Sequence, residues 1–463
     1  MTLNDTIAAV STPRGKGGIA VIRISGSEAL EIAERIFEPA CGKALSKLPS
    51  FKAAYGKIYR DSDRTKPHAD DGVAVIYRAP RSFTGEDTVE ISCHGGVLCT
   101  ETVLSAVLFA GARCAEAGEF TRRAFVNGKM KLSEAEALSN LLEAKNHSQL
   151  KLARSGMEGR IEKKCDEIYE GLRSVLAALY ARIDYPDEDL ADIGSGEMLG
   201  AVRAAASELR RLADTYSSGH AVAEGIKTVI CGRPNVGKSS VYNAILGREA
   251  AIVTDIEGTT RDVLEDTASL GGVTLRLCDT AGLRASEDRV EMIGVKRAYE
   301  KLDEAELILA VFDGSAALSK EDRELISYLS ERKERVLAVI NKCELAQVAD
   351  REEICAAFGE AVEISAQCEG GIEPLALALE NKFLDKELDI EKDAVVFGAR
   401  QYAALSKALE DLRSAEEIIS GGFESDAAAF SVEEAMGALC ELDGRQIGED
   451  IVSEIFSHFC VGK

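Results

Sequence analysis

The sequence is poor in positive charge. It has 55 lysine and arginine residues against 79 aspartate and glutamate residues, which gives a formal net charge of -24 at pH 7. This balance excludes a bulk basic surface for nucleic acid. An RNA partner would have to be met by a local patch or alongside a second protein.

The chain also lacks the marks of a membrane, secreted or zinc-binding protein. No apolar run approaches the length of a membrane span, and we expect no signal peptide from residues 1–7. The 12 cysteines form no Cys-x-x-Cys pair and accompany no histidine cluster, which predicts free or buried thiols in a reducing cytoplasm, with neither zinc nor disulfides. Low-complexity segments and repeats are missing. A chain of 463 residues predicts about three domains.

A phosphate-binding loop is present in residues 232–239, which read Gly-Arg-Pro-Asn-Val-Gly-Lys-Ser. The loop follows the apolar run 228–231, as expected where a strand leads into a tight turn that opens a helix. Its glycines let backbone N–H groups point at phosphate oxygens beside the positive end of the helix dipole. Lys238 can reach the terminal phosphates, and the Ser239 hydroxyl can bind Mg²⁺. The loop indicates a nucleoside triphosphate but not which one.

Four further motifs follow in the order that Ras-like GTPases use, and together they predict a GTPase. They are Gly258-Thr259-Thr260-Arg261-Asp262, Asp279-Thr280-Ala281-Gly282, Asn341-Lys342-Cys343-Glu344 and Ser365-Ala366. One threonine of the first motif can complete the Mg²⁺ shell, and the aspartate of the second can hold the waters of that shell. The glycine of the second motif can donate its N–H to the γ-phosphate. The third motif fits a loop that reads the base.

Two positions depart from the usual pattern. Guanine presents adjacent N1–H and N2 donors that a carboxylate accepts together, and here Glu344 takes the place of the usual aspartate. We expect guanine preference to survive the added methylene. Leu283 stands where a glutamine often orients the attacking water, so another group must do that work. Arg284, the pair Glu287-Asp288 and Glu291 are candidates, and each could equally be a solvated charge.

The apolar pattern divides the chain into four segments and predicts a multidomain protein of α+β and α/β class. Residues 1–127 alternate like strands around a short helix and predict an α+β domain. Residues 128–221 and 384–463 carry helical stripes, the first opened by a capping box at 133–136. Residues 222–383 hold the GTPase motifs. Because neither helical segment can bury its stripe alone, we expect one bundle with the GTPase domain inserted in it. Two separate helical domains are the alternative.

The chain resembles the MnmE (TrmE) family of bacterial tRNA-modification GTPases over its full length. Outside the GTPase motifs, the residues that carry the resemblance are Asp5-Thr6-Ile7-Ala8-Ala9, Gly17-Gly18-Ile19, Arg23-Ile24-Ser25-Gly26, Ser82-Phe83-Thr84-Gly85-Glu86-Asp87, His94-Gly95-Gly96, Gly118-Glu119-Phe120-Thr121-Arg122-Arg123-Ala124-Phe125, Asp184-Tyr185-Pro186 and the terminal Cys460-Val461-Gly462-Lys463. The resemblance implies an amino-terminal domain that dimerises and binds a tetrahydrofolate carrier of one-carbon units.

By motif position, the resemblance assigns the folate site to Arg23, Glu90, Lys129 and Lys463. A carboxylate suits the amine and N–H edge of a pterin ring, and basic side chains suit the anionic glutamate tail of folate. The carrier would be 5-formyl- or methylene-tetrahydrofolate. Cys460 matches the family's terminal cysteine, which is suspected of a chemical role, and a purely structural thiol is the alternative.

The resemblance also implies hydrolysis that is assisted by K⁺ and by the pairing of two GTPase domains across a homodimer. The K⁺ ligands would be one side-chain oxygen and three backbone carbonyls, from Asn235, Thr254, Ile256 and Thr259. Glu291 would polarise the attacking water, while Ser239 and Thr260 would ligate Mg²⁺. The complete set of residues expected to bind GTP or GDP is Asn235, Val236, Gly237, Lys238, Ser239, Ser240, Thr254, Asp255, Ile256, Glu257, Gly258, Thr259, Thr260, Asp279, Thr280, Ala281, Gly282, Asn341, Lys342, Glu344, Ser365 and Ala366.

The implied function is modification of tRNA. With a flavin-dependent partner of the MnmG family, in a heterotetramer, the chain would add a carboxymethylaminomethyl or aminomethyl group to C5 of the wobble uridine in certain tRNAs. The partner alone would hold FAD, and no membrane would be involved. Two other classes stay open. A ribosome-assembly or translation switch would carry an appended basic RNA-binding domain, and a dynamin-like scaffold would carry a membrane-facing segment; the sequence shows neither.

Overall fold

The structure is a computed structural model that describes residues 5–13, 15–64, 67–184, 195–248, 266–278, 302–421, 425–445, 448–457, 459 and 462. The chain separates into two compact units. Residues 1–139 and 443–463 form the first, called here the amino-terminal unit, and residues 140–442 form the second, called the central unit. Each unit has its own apolar core.

The described elements are strands and helices joined by short turns, among them the 3₁₀ turns Leu45–Lys47 and Lys333–Arg335. The strands are β1 (Ile7–Val10), β2 (Ile19–Ser25), β3 (Phe37–Pro39), β4 (Ala53–Ile58), β5 (Asp70–Tyr77), β6 (Thr88–His94), β7 (Arg113–Cys114), β8 (Ile226–Cys231), β9 (Asp266–Leu270), β10 (Val273–Leu277), β11 (Leu307–Asp313), β12 (Val336–Asn341) and β13 (Ala361–Glu363). The helices are α1 (Ala29–Ile36), α2 (Val97–Phe109), α3 (Glu119–Val126), α4 (Leu132–Glu143), α5 (His147–Met157), α6 (Arg160–Asp184), α7 (Ser195–Asp214), α8 (Tyr216–Ala223), α9 (Lys238–Arg248), α10 (Lys320–Ser330), α11 (Arg351–Phe358), α12 (Glu373–Phe383), α13 (Ala399–Gly421), α14 (Ser425–Asp443) and α15 (Glu449–Ser457).

The amino-terminal unit is built on a seven-stranded sheet in the order β3-β4-β5-β6-β2-β1-β7. Its neighbours pair antiparallel, except β1 and β7, which are parallel. Alternation along β2 sends Ile22 and Ile24 into a core with α1 and α2. Arg23 lies on the opposite face, in register with Glu90 of β6. This second face is covered near β1 by a smaller apolar cluster that includes Phe120 of α3.

The end of the chain packs within the amino-terminal unit. Phe456 and Phe459 join an apolar cluster with Leu132 at the start of α4. The Ser11 hydroxyl donates a hydrogen bond of 3.0 Å to the carbonyl of Gly462. Gly118 has a φ of 65°, and a β-carbon there would overlap the Phe456 carbonyl, so glycine is required at this crossing. These contacts hold the last turn of α15 and the backbone at Gly462 against the amino-terminal unit.

The central unit contains a six-stranded sheet in the order β13-β12-β11-β8-β10-β9. All neighbours are parallel except the antiparallel pair β9 and β10. Apolar cores cover both faces, which explains why every residue of β12 is buried. The carboxyl ends of the parallel strands meet at one edge, where such sheets place their ligands.

The same unit contains a helical bundle made from two separated stretches of chain. Helices α6 and α7 precede the sheet, α13 and α14 follow it, and the four share one continuous apolar core. Arg203 of α7 and Glu416 of α13 form an ion pair of 2.7 Å. A helical bundle interrupted by an α/β domain is therefore confirmed, while the domain boundaries drawn from the sequence stay a prediction.

Two expectations about helices have different outcomes. The helical stripe expected within residues 128–221 is confirmed, since α6 runs over 25 residues with its apolar stripe buried. The capping box at Ser133 is wrong, because α4 already begins at Leu132 and Ser133 lies inside it. The Glu134 carboxylate instead accepts a hydrogen bond of 2.9 Å from the backbone N–H of Lys131. None of the helices in the described part of the chain has both the length and the apolar character that a membrane crossing needs.

Candidate functional site

The turn between β8 and α9 has the backbone of a phosphate-binding loop. Gly232, Asn235 and Gly237 all have positive φ, at 148°, 65° and 97°. Gly237 cannot be replaced without strain, because a β-carbon there would overlap the amide of Asn341. The turn ends at the first residue of α9, so free N–H groups and the positive end of the helix dipole converge on one anion position. The predicted set Val236, Gly237, Lys238, Ser239 and Ser240 lies together on this turn and the first turn of α9.

Lys238 is held over the loop by two carbonyl groups. Its Nζ donates hydrogen bonds of 2.8 Å to the carbonyls of Gly232 and Arg233. Burial lowers the pKa of this ammonium group. The two carbonyl dipoles compensate the ammonium charge only in part. An anionic phosphate group of a nucleotide would complete that compensation, so the arrangement favours phosphate binding.

Asn341 links the phosphate loop to the loop that carries Ser365 and Ala366. The side chain is buried; its Nδ2 donates 3.0 Å to the Val236 carbonyl, and its Oδ1 accepts 3.1 Å from the N–H of Ala366. Three motifs that are distant in sequence thus meet at one edge of the sheet. The Asn341 side chain therefore holds the phosphate loop and the Ser365-Ala366 loop together.

Asp313 is a residue of this edge that the sequence reasoning missed. Lys342 Nζ donates 2.6 Å to its Oδ2 and 3.0 Å to the carbonyl of Asn235. Burial alone would raise the pKa of Asp313, but hydrogen bonds from Lys342 and Ser315 outweigh it and keep that pKa low. The available signal was its place at the end of β11, opposite Asn341 of the parallel neighbour β12. Asp313 therefore positions Lys342 beside the phosphate loop.

Glu344 stands exposed beside the loop of Ser365. The Ser365 side chain lowers the pKa of this carboxyl, so it is ionised at neutral pH. An ionised carboxylate keeps both oxygens available as acceptors, as guanine N1–H and N2 require. The geometry is consistent with a base-reading role for Glu344, which stays a prediction.

We expect the full chain to prefer guanine nucleotides despite Glu344. Hydrogen bonds to a charged group contribute about 1.5–3 kcal/mol, so GTP should displace a bound fluorescent GDP at roughly 10–100-fold lower concentration than ATP. Glu344→Gln should reduce the difference between the GTP and ATP concentrations, because the amide has one acceptor oxygen where the carboxylate has two. Glu344→Asp is the matched control and should keep this difference. Equal affinity of the wild-type chain for ATP and GTP would contradict the assignment.

Several predicted site residues lie outside the described part of the chain. They are Thr254, Asp255, Ile256, Glu257, Gly258, Thr259, Thr260, Asp279, Thr280, Ala281, Gly282, Glu291, Cys460 and Lys463. Of the predicted Mg²⁺ ligands, the structure describes Ser239, and of the predicted K⁺ ligands it describes Asn235. The other ligands of both ions stay predictions.

Arg23 and Glu90 of the amino-terminal unit form a direct pair. Their closest atoms are 2.8 Å apart, and the Tyr77 hydroxyl donates 3.1 Å to the second Glu90 oxygen. The guanidinium lies over the rings of Phe83 and Phe120, at 5.3 and 5.6 Å. Its Nη1 is buried and has no hydrogen-bond partner among the described residues. The three aromatic neighbours were not found from the sequence, because they depend on strand register and on the fold of the 79–87 loop.

Lys129 lies at the same loop. Its Nζ donates 3.0 Å to the carbonyl of Pro80, and its side chain packs beside Gly85. Phe83 of this loop contacts Arg23. Gly462 lies against the carbonyl of Val10 at the end of β1, and Ala9 of this strand pairs with Arg23 in the sheet. The elements that carry Arg23, Glu90 and Lys129, and the backbone of the tail, thus belong to one compact unit.

Comparison with known proteins covers almost the whole chain. The family model described as GTP-binding protein TrmE N-terminus matches residues 6–129, and the MnmE helical domain matches residues 132–460. The chain is 40% identical to the tRNA modification GTPase MnmE of Carboxydothermus hydrogenoformans over 464 residues, covering 100% of both chains. It is 40% identical to the same enzyme of Geobacillus thermodenitrificans over 466 residues, and 37% identical to that of Clostridioides difficile over 465 residues, again with 100% coverage of both chains. The chain belongs to the MnmE family of tRNA modification GTPases.

Proposed function

We propose that the chain is a homodimeric, K⁺-stimulated GTPase that adds a carboxymethylaminomethyl or aminomethyl group to C5 of the wobble uridine in certain tRNAs. It would act with a flavin-dependent partner of the MnmG family, which holds FAD. The carbon donor would be 5-formyl- or methylene-tetrahydrofolate. Family membership supports the reaction class. The folate site is supported by Arg23, whose buried Nη1 has no hydrogen-bond partner among the described residues.

The residues around Arg23 suit a folate carrier. A buried guanidinium nitrogen with no partner among the described residues is costly unless an anion or a carbonyl meets it. Glu90 places a carboxylate beside it that can accept from the amine and N–H edge of a pterin, and Phe83 and Phe120 add apolar faces. Lys129, with Lys463 from the tail, would meet the glutamate end. The carrier supplies the one-carbon unit, and these residues bind and orient it.

The proposed GTP hydrolysis is supported by the loop between β8 and α9. Lys238 would bind the β- and γ-phosphates, and Ser239 and Thr260 would ligate Mg²⁺. Asn235 has its backbone at a positive φ, and its carbonyl is held by Lys342 at 3.0 Å, so its position in the loop is fixed. Its side-chain oxygen would bind K⁺ together with the carbonyls of Thr254, Ile256 and Thr259. Positive charge there would stabilise the anion that develops between the two phosphates.

The tail would take part in the chemistry on tRNA, without a role in GTP hydrolysis. Backbone contacts hold Phe456 and Gly462 on either side of Cys460 against the amino-terminal unit. Cys460 itself lies outside the described residues, and these two anchored positions near it support a role for its thiol.

Nucleoside mass spectrometry of tRNA tests this function. Cells that lack the gene should lose the modified wobble uridine, and the wild-type gene should restore it. Cys460→Ser should fail to restore it, because the thiol is lost, yet its purified protein should hydrolyse GTP at the wild-type rate. Cys114→Ser, which changes an exposed thiol of the same unit, is the control and should restore the uridine.

Two outcomes would overturn the proposal. Unchanged tRNA in cells without the gene would refute the modification itself. Full restoration by Cys460→Ser would remove the tail thiol from the chemistry while leaving the GTPase assignment in place.

A further inference from the structure

Four side chains with metal-binding chemistry meet at one end of the amino-terminal sheet. Asp70 begins β5, Cys93 and His94 end β6, and Cys99 lies in the first turn of α2. The sequence contains no Cys-x-x-Cys pair and no histidine cluster, and this pattern predicts no zinc. The fold brings the four together because β5 and β6 are antiparallel neighbours and Gly95-Gly96 turn the chain directly into α2.

The contacts among these groups are short. The Asp70 carboxylate lies 2.7 Å from His94 Nδ1 through one oxygen, and its other oxygen accepts from Cys99 Sγ at 3.1 Å. The oxygen of Asp70 and the two sulfurs of Cys93 and Cys99 all lie within 4.8 Å of one another. Tetrahedral coordination with bonds of about 2.0–2.3 Å separates ligand atoms by roughly 3.3–3.8 Å. For Asp70, Cys93 and Cys99, shifts of about 1 Å or less would therefore reach these separations. His94 lies outside this group of three, and its exposed imidazole, which already contacts Asp70, would turn toward the sulfurs to complete the shell.

The cluster is buried on one side and open on the other. Cys93 is 4% exposed and the Asp70 side chain 12%, whereas the His94 side chain is 74% exposed. A metal ion could enter beside the imidazole and be enclosed by the other three groups. Metal-binding sites in proteins need such an entry path as well as ligands of the right type.

The ligand types select one class of cation. Two thiols, an imidazole and a carboxylate are the donors that bind Zn²⁺, whereas Ca²⁺ and Mg²⁺ prefer shells of oxygen alone. Burial raises the pKa of both thiols, that of Cys99 to about 12 with help from Asp70, so without a metal both sulfurs carry protons. A metal would replace those protons and release them to solvent. The N–H groups at the start of α2 would further stabilise a thiolate at Cys99.

We propose that Asp70, Cys93, His94 and Cys99 form a tetrahedral site for a thiophilic divalent cation of the Zn²⁺ class. The metal would tie the first turn of α2 to the adjoining ends of β5 and β6. Its role is structural, since four protein ligands leave no open position for substrate. The site is separate from the Arg23 pair, because Cys93 points into the core between sheet and helices, the face opposite to Arg23 and Glu90.

The test is titration of the chelator-treated full chain with Co²⁺, which reports thiolate ligation through a charge-transfer band and tetrahedral geometry through its visible bands. We expect saturation at one equivalent and displacement by Zn²⁺. Cys93→Ser and Cys99→Ser should each reduce the charge-transfer band at that equivalent to about half or less, and the double variant should lose it. His94→Ala and Asp70→Asn should weaken Zn²⁺ binding by about tenfold or more. Cys41→Ser and Cys114→Ser, which change exposed thiols, should leave the titration unchanged.

Thermal melting separates loss of metal from loss of folding. Without metal, Cys99→Ser and the wild-type chain should melt at the same temperature, and Zn²⁺ should raise the melting temperature of the wild type alone. Absence of a charge-transfer band in the wild-type chain would overturn the proposal. A band that persists in the double variant Cys93→Ser/Cys99→Ser would overturn it as well, because other cysteines would then bind the metal.

Discussion

Alanine in place of Lys238 is expected to lower the rate of GTP hydrolysis by about 10²–10³-fold, the loss that follows removal of one charge-stabilising donor from an active site. The Lys238 ammonium is positioned over the phosphate loop by the carbonyls of Gly232 and Arg233. The nearby Lys342 ammonium is held by Asp313 and by the carbonyl of Asn235, so we do not expect it to take the place of Lys238. Single-turnover hydrolysis with saturating GTP measures the effect apart from binding.

The matched control for this variant is Lys320→Ala on α10. Lys320 is exposed and forms a surface ion pair with Glu324, so its loss should change neither hydrolysis nor stability measurably. The Lys238→Ala protein should also melt close to the wild type without nucleotide, because water can satisfy the two carbonyls that Lys238 leaves. Hydrolysis by Lys238→Ala within a few-fold of the wild-type rate would show that the loop does not act on the γ-phosphate.

The parts of the site that depend on local sequence could be predicted. The phosphate loop is one, since an apolar strand, left-handed glycines and a helix start all lie within a dozen residues. The conformation at Gly237 agrees with that expectation, with a φ of 97° and no room for a β-carbon. The apolar stripe of α6 is another, because its period alone defines the buried face.

Contacts that depend on register could not be predicted. Arg23 and Glu90 are 67 residues apart, and their pairing follows from the alignment of β2 with β6, which no local pattern specifies. Asp313 and Lys342 meet because two parallel strands end level with each other. The cluster of Asp70 with Cys93 and Cys99 is of the same kind, and its spacing matches no standard metal motif.

The start of α4 shows a smaller limit of local reasoning. Ser133 with Glu136 fits the spacing of a capping box, yet the helix begins at Leu132. Leu132 is fully buried in one apolar cluster with Phe456 and Phe459, and Glu134 accepts the N–H of Lys131 directly before it. Tertiary burial of one leucine outweighs a cap that contributes about 1 kcal/mol.

Replacement of K⁺ by Na⁺ is expected to have the second large effect. Leu283 offers no hydrogen bond to orient water, so the charge that develops at the γ-phosphate must be met in another way. In other GTPases an arginine that supplies positive charge at this position raises the hydrolysis rate by about 10³–10⁵-fold. A K⁺ bound there when two GTPase domains pair should raise the rate at least about tenfold. Asn235 is the described residue that would bind it, in a loop already fixed by Lys342.

The measurement closest to the central claim is the rate of GTP hydrolysis by the full chain in KCl and in NaCl at equal ionic strength, over a range of protein concentrations. Nucleotide affinity is measured in both salts, so that binding is separated from turnover. We expect a rate at least about tenfold higher in KCl, a specific activity that rises with protein concentration, and loss of the salt difference in Asn235→Ala. Equal rates in the two salts, with a specific activity that is independent of concentration, would contradict K⁺-assisted hydrolysis by paired GTPase domains.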